Sequence, residues 1–187
     1  HVLMSRGVTQ TAVLDGFTLT AGRANGAVSP HTYGAGLYNY NGDPTLANLT
    51  FSANWADADG GGLYTYSGDL TLDATLFTAN RAGSGGGLFT NSGSPTLTGV
   101  TFRGNNANAG GGLYNINGSP TLTHVAFNGN QTDGWYAVGG GMYTASGNPS
   151  LTNVLFSGNW VGGNWPRGGG LWIQSGNPTL NGATFGG

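Results

Sequence analysis

Acid–base chemistry in this chain has seven carboxylates to draw on, Asp15, Asp43, Asp57, Asp59, Asp69, Asp73 and Asp133, together with His1, His31 and His124. Lys, Glu and Cys are absent, so amine nucleophiles, thiolates and thiolate metal sites are not available. Asp43 and Asp69 fall at the same place in a repeated unit and would stack as a carboxylate pair of the kind that cleaves glycosidic bonds. The same place holds Ser94, Ser119, Asn148 and Asn177 in other units, and Asp, Ser and Asn all cap turns through a side-chain oxygen. That substitution pattern points to a turn cap rather than an acid–base pair. The three histidines are expected in separate coils, so no triad assembles around them. Asp57 and Asp59, in Asp-Ala-Asp-Gly, have a spacing that calcium loops use, but the other ligands of such a loop are missing. No catalytic, metal or cofactor residue is assigned, and the chain reads as a non-enzyme.

Charge narrows the partners. Five Arg against seven Asp give a formal net charge of -2, with no basic surface to neutralise a phosphate backbone, so nucleic acid is excluded as a partner. No apolar run approaches 18 residues, so no membrane span is expected. The chain opens at His1 without a basic and then apolar leader, and so reads as a mature product or an excised piece. Polarity carried by Thr, Ser and Asn points to an extracellular or cell-surface location.

The elements that must position any site come from an internal repeat. Gly-Gly-Leu-aromatic, or a close variant, recurs with Leu37, Leu63, Leu88, Leu113, Met142 and Leu171 in one place, at steps of 26, 25, 25, 29 and 29 residues. Eight residues after each stands Thr45, Thr71, Thr96, Thr121, Ser150 or Thr179, so this stretch is a fixed unit and length varies elsewhere. Within the unit the order is strand, a glycine turn (Gly42, Gly68, Gly93, Gly118, Gly147, Gly176), a second strand of the type Pro-Thr-Leu-x-x-Val-x-Phe, and a second turn at Gly-Asn. The second strand sets Leu46, Leu72, Leu97, Leu122, Leu151 and Leu180 in one column and Phe51, Phe77, Phe102, Phe127, Phe156 and Phe185 in another.

Strands this short, with no helical periodicity, bury an apolar face only by stacking coil on coil in parallel. The expected fold is therefore all-β: a right-handed parallel β-helix of about seven coils forming one domain over 1–187, with coils near 1–33, 34–59, 60–84, 85–109, 110–138, 139–167 and 168–187. Neither end carries a recognisable cap. Asn54, Asn80, Asn105, Asn130 and Asn159 form a further column, expected as an internal asparagine ladder, with Gly22 in their place in the divergent first coil.

Gly-Gly-Gly-Leu-Tyr-Asn at 110–115, Gly-Ser-Pro-Thr-Leu-Thr at 118–123 and Ala-Val-Leu-Asp-Gly-Phe-Thr-Leu-Thr at 12–20 resemble the right-handed β-helix repeat proteins of bacterial surfaces, including polymorphic outer-membrane-protein-like and adhesin-type repeats. The resemblance spans nearly the whole chain. It implies export and a surface or adhesive role, and carries over no catalytic residue.

Three surfaces stand out. Alternation from the Leu column turns Tyr38, Tyr64, Phe89, Tyr114, Tyr143 and Trp172 outward as a stacked aromatic stripe, a candidate interface or ligand surface. The loop after the Asn column is short after Asn80 and Asn105, longer after Asn130 and Asn159, and longest from Arg23 to Tyr33, and the two late long loops carry Trp135, Tyr136, Trp160 and Trp165 as a second candidate surface. An outward Thr-x-Thr array, complete at Thr96/Thr98 and Thr121/Thr123 and broken at Asp73 and Asn181, has the regularity of an ice-binding face. The leading expectation is a structural protein whose subunits stack head to tail into a filament or surface fibre, so that its main partner is itself. A stalk or passenger segment of a larger adhesin, and a carbohydrate-binding or ice-binding β-helix, are the alternatives.

Overall fold

Three short strands and a corner make each coil of this protein, and a computed structural model describes all 187 residues of it. The strands at Leu3–Arg6, Leu37–Tyr40, Leu63–Tyr66, Leu88–Asn91, Leu113–Ile116, Met142–Thr144 and Leu171–Ile173 form one parallel seven-stranded sheet, each pairing with its equivalent in the next coil. A second seven-stranded sheet starts at Val13–Asp15 and Thr45–Ala47, and a third at Thr18–Thr20 and Thr50–Ser52. Five coils add a two-residue fourth strand, at Arg23–Ala24, Trp55–Ala56, Asn106–Ala107, Gln131–Thr132 and Trp160–Val161. The chain has no helix.

The register is that of the repeat. Leu46, Leu72, Leu97, Leu122, Leu151 and Leu180 lie in one file, and Phe51, Phe77, Phe102, Phe127, Phe156 and Phe185 in another. Successive phenyl rings stack almost parallel with centroids 4.7 to 4.9 Å apart. Phe51 to Phe156 are buried, each contributing roughly 1.5–3 kcal/mol through lost apolar exposure. They share one core cluster with the Leu37 and Leu46 columns and with Leu49, Val100, Val125 and Val154.

One expectation needs correction. The Pro-Thr-Leu-x-x-Val-x-Phe stretch is not one strand: it bends between the second and third sheets, at Asn48, Ala74, Gly99, His124, Asn153 and Gly182, all with φ between +44° and +68°. The bend explains why Leu46 and Leu49, three residues apart, both face inward when strict alternation would send one outward.

The triple glycines bring adjacent coils close. A Cβ on Gly87 would lie 2.6 Å from the Gly112 carbonyl oxygen and 2.8 Å from Cδ1 of Phe102, so the phenyl file packs directly on this backbone. Gly60, Gly85 and Gly110, at the start of the same runs, have φ between +60° and +67°, a region open to glycine at no steric cost.

Candidate functional site

The turn column is a chain of caps. Asp43 Oδ1 accepts the Asp69 backbone N–H at 2.8 Å, and Asp69 Oδ1 accepts that of Ser94 at 2.7 Å. The series continues through Ser119 N–H to Ser94 Oγ, Asn148 N–H to Ser119 Oγ and Asn177 N–H to Asn148 Oδ1. Asp43 and Asp69 therefore do in their coils what Ser and Asn do in the others. The histidines differ from their expected separation: His1 and His31 rings lie 6.0 Å apart, because the long first-coil loop returns the chain to the edge where it began, while His124 lies apart beside Asn153. Asp57 is exposed and Asp59 half-buried, and no three His or Asp side chains come together as metal ligands.

The asparagine column is an internal ladder. Asn54 Nδ2 donates to Asn80 Oδ1 (2.9 Å), Asn80 to Asn105 (3.0 Å), Asn105 to Asn130 (3.0 Å) and Asn130 to Asn159 (3.0 Å). Each amide also donates to the carbonyl of a core-file residue one coil earlier, Leu19, Phe51, Phe77, Phe102 or Phe127. Gly22 stands in the first coil and gives its backbone N–H to Asn54 Oδ1.

A second interior polar column was not legible beforehand. Asn39, Thr65, Thr90, Asn115 and Thr144 are all fully buried, two residues after the Leu37 column and on the same side. Asn39 Nδ2 donates to Thr65 Oγ1 and to the Gly42 carbonyl, and Thr90 Oγ1 donates to Asn115 Oδ1, which ties the glycine turn to the first sheet. Alternation from Leu37 carried the signal; polarity concealed it.

The aromatic file Tyr38, Tyr64, Phe89, Tyr114, Tyr143 and Trp172 does turn away from the Leu–Phe core; its rings stack from Tyr38 to Tyr114 with centroids 4.8 to 5.4 Å apart, and Tyr143 meets Tyr114 edge-on at 4.7 Å. The open stripe expected from alternation is instead a covered one: Tyr64, Phe89 and Tyr143 are at most 8% exposed and the others half-buried. Each ring shields its neighbours, and Tyr33 from the first long loop lies 4.9 Å from Tyr64. Burial raises the Tyr64 hydroxyl above its ordinary range and pushes Tyr114 up to about 12, with the Asp59 carboxylate adding to both. Burial likewise lifts Asp59 to about 6, against a smaller downward pull from the Ser84 side chain.

The loop edge is where polar and aromatic side chains reach solvent. Trp135 (65%), Tyr136 (73%), Trp160 (53%) and Trp165 (62%) stay exposed, the Trp160 ring lying against Gly162 of its own loop. On the opposite flank the Arg23 guanidinium lies 4.4 Å and that of Arg81 5.6 Å from the Trp55 ring, sandwiching it as cation–π partners. Between these flanks lies a groove of about 520 Å³ whose polar lining is Asn80, Arg81, Asn106, Asn108 and Asp133. A smaller recess of about 210 Å³ adjoins it at Trp55 and Asp57. The candidate surfaces named from sequence thus separate: the Tyr38–Trp172 file is structural over much of its length, and of the two late loops only Asp133 lines the groove, while Trp135, Tyr136, Trp160 and Trp165 lie outside its lining. The groove floor was not singled out from sequence, because Arg81, Asn106 and Asn108 carry no repeat signal.

Residues 25–185 match the family model for a right-handed β-helix region. No curated protein and no solved structure gives a match.

Proposed function

Because the chain belongs to the right-handed β-helix family, whose shape is a rod built by stacking, we propose that it is a non-catalytic extracellular structural protein whose subunits stack head to tail. The observation that supports this reading is the make of the two terminal coils. Leu3, Met4, Val13 and Phe17 are 39 to 64% exposed at one end, Leu180 and Phe185 42% and 54% at the other, and most of these sit on the internal files. Both faces also present free parallel strand edges, which pair readily with another strand. A coil of the same make satisfies them in register, Leu180 over Leu14 and Phe185 over Leu19 of the next copy, a heterologous contact that propagates as a filament. The use of Asp43 and Asp69 as turn caps supports a non-catalytic role.

A stalk segment of a larger adhesin is the variant in which further coils of the same polypeptide cover these faces. Electron microscopy and sedimentation of the 187-residue chain across a concentration series separate the two. Filaments with an axial spacing of about 4.8 Å per coil are the expected outcome. A monodisperse short rod at every concentration would overturn head-to-tail stacking and favour the stalk.

A further inference from the structure

The two late loops lie one on the other. Tyr136 and Trp165 stand at the same place in them, a Cβ on Gly163 would meet the Gly134 carbonyl oxygen at 1.9 Å, and Val138 bridges to Arg167. Trp135 and Tyr136 nevertheless stay open to solvent with the second loop packed on the first, as do Trp160 and Trp165. None of the four rings packs on another aromatic ring, unlike the Phe51 and Tyr38 files, where each ring shields the next. Together the four leave roughly 600 Å² of aromatic surface in water, the top of the range in which a monomer leaves its largest apolar patch uncovered.

Charge sits at opposite corners of this surface. Asp133 opens the first loop and Arg167 closes the second, and neither loop holds any other charged residue. Both side chains are exposed and neither forms an ion pair within the chain; the Arg167 guanidinium rests 5.5 Å from the Trp172 ring. The neighbour of Arg167 one coil away is Val138, so the fold keeps the acid and the base of one copy apart.

We propose that this surface is a two-fold contact between two copies of the chain. A two-fold axis crossing the line from Asp133 to Arg167 sets the acid of each copy against the base of the other, so a single arrangement makes both ion pairs while the aromatic rings meet between them. Closing it buries about 1,200 Å² over the two copies, the lower bound of a stable protein interface. Trp and Tyr then form its centre and the charges its rim, as in interfaces whose few aromatic anchors carry the affinity. A bilayer fits the same surface less well, because segments that bind lipid head groups carry Lys and Arg in excess, and here one Arg is matched by one Asp. The contact lies on the flank of the rod, so it adds to end-to-end stacking and does not depend on it.

The test is sedimentation velocity of the 187-residue chain over a concentration series, with negative-stain images of the same samples. The expected result is reversible side-by-side pairing of rods in the micromolar range, weakened about tenfold or more by Trp165→Ser. Asp133→Arg and Arg167→Asp each weaken pairing by a similar factor, since each sets like charges together at two places, and the variant carrying both changes recovers it. That recovery separates a lost contact from a damaged fold. Loss of stacking alone leaves pairs of short rods and loss of pairing alone leaves single filaments, so this contact and head-to-tail assembly fail separately. The proposal is overturned if rods never pair side by side, if both single charge variants pair as tightly as wild type, or if the combined variant stays unpaired. It is equally overturned if the chain stays unpaired and its Trp emission shifts to the blue on phosphatidylcholine vesicles, which would assign the loops to a membrane surface.

Discussion

Asn105 Oδ1 accepts two hydrogen bonds from Asn80, one from its side-chain amide and one from its backbone N–H, both at 3.0 Å. One oxygen thus satisfies two buried donors of the preceding coil, while the Asn105 amide serves Phe77 and Asn130. Asn105→Ala removes these four hydrogen bonds at once in a buried site, leaving Asn130 Oδ1 only the Asn105 backbone N–H. The expected loss is about 3–5 kcal/mol, several times that of an exposed side-chain bond. Urea unfolding measures it; a loss below about 1 kcal/mol would mean the ladder is an ornament of the corner rather than its support.

Two glycine substitutions should differ sharply. Gly87→Ala places a methyl 2.6 Å from a neighbouring carbonyl oxygen, with backbone on one side and the Phe102 ring on the other, and is expected to cost about 3 kcal/mol or more. Gly104→Ala meets nothing within 4 Å despite φ +59°, and Ala21, Ala53 and Ala79 already stand at the same corner with φ near +54°. Its expected cost is about 1 kcal/mol. Thermal midpoints of the two variants check the contrast.

Asp59 makes stability depend on pH. Its carboxyl lies at 3.8 when unperturbed and about 6 in the fold, so the folded state holds the proton more tightly. Stability from this group is greatest below 3.8, falls as pH rises between 3.8 and 6, and is flat above. Asp59→Asn should abolish that slope and raise stability at neutral pH by on the order of 2 kcal/mol. Unfolding free energies of wild type and variant at pH 4 and pH 7 decide it; parallel curves would contradict the burial of the charge.

Asp69→Ala removes the acceptor for the Ser94 N–H, an exposed bond, and should cost about 0.5–1 kcal/mol, with Asp69→Asn restoring most of it. The equal behaviour of Asp43→Ala would fit a shared capping role. A polysaccharide-cleaving activity that vanishes in either variant would overturn the non-catalytic reading.

The Leu, Phe and Asn columns were legible in the sequence because each recurs at a constant offset, and a constant offset with constant chemistry leaves one stacking solution. The corner at Asn48, Ala74, Gly99, His124, Asn153 and Gly182 was not, since four residue types share it and the bend leaves its trace only in the odd step from Leu46 to Leu49. The buried Asn39–Thr144 column was hidden by the habit of placing polar residues outside, though the Asn39 and Asn115 amides answer the turn carbonyls of Gly42 and Gly118 there. The direction of the aromatic file followed from alternation, whereas its burial depends on mutual shielding and on the Arg23–Tyr33 loop, neither of which has a local signal. The groove at Arg81, Asn106, Asn108 and Asp133 was visible only as loop lengths, and its chemistry needed the coils assembled.

The parallel ladders that join each strand to its equivalent one coil away have a mechanical consequence. Their hydrogen bonds point along the rod axis, so tension between the two ends pulls each bond along its own length and loads a single interface between coils at a time. Such a rod resists bending but peels under axial force, yielding, beyond the longer first coil, one coil of 25 to 29 residues per event. Each event releases roughly 85–100 Å of contour, so the molecule would extend in near-even steps, behaving as a shock absorber with the Asn54–Asn159 amides as its rivets.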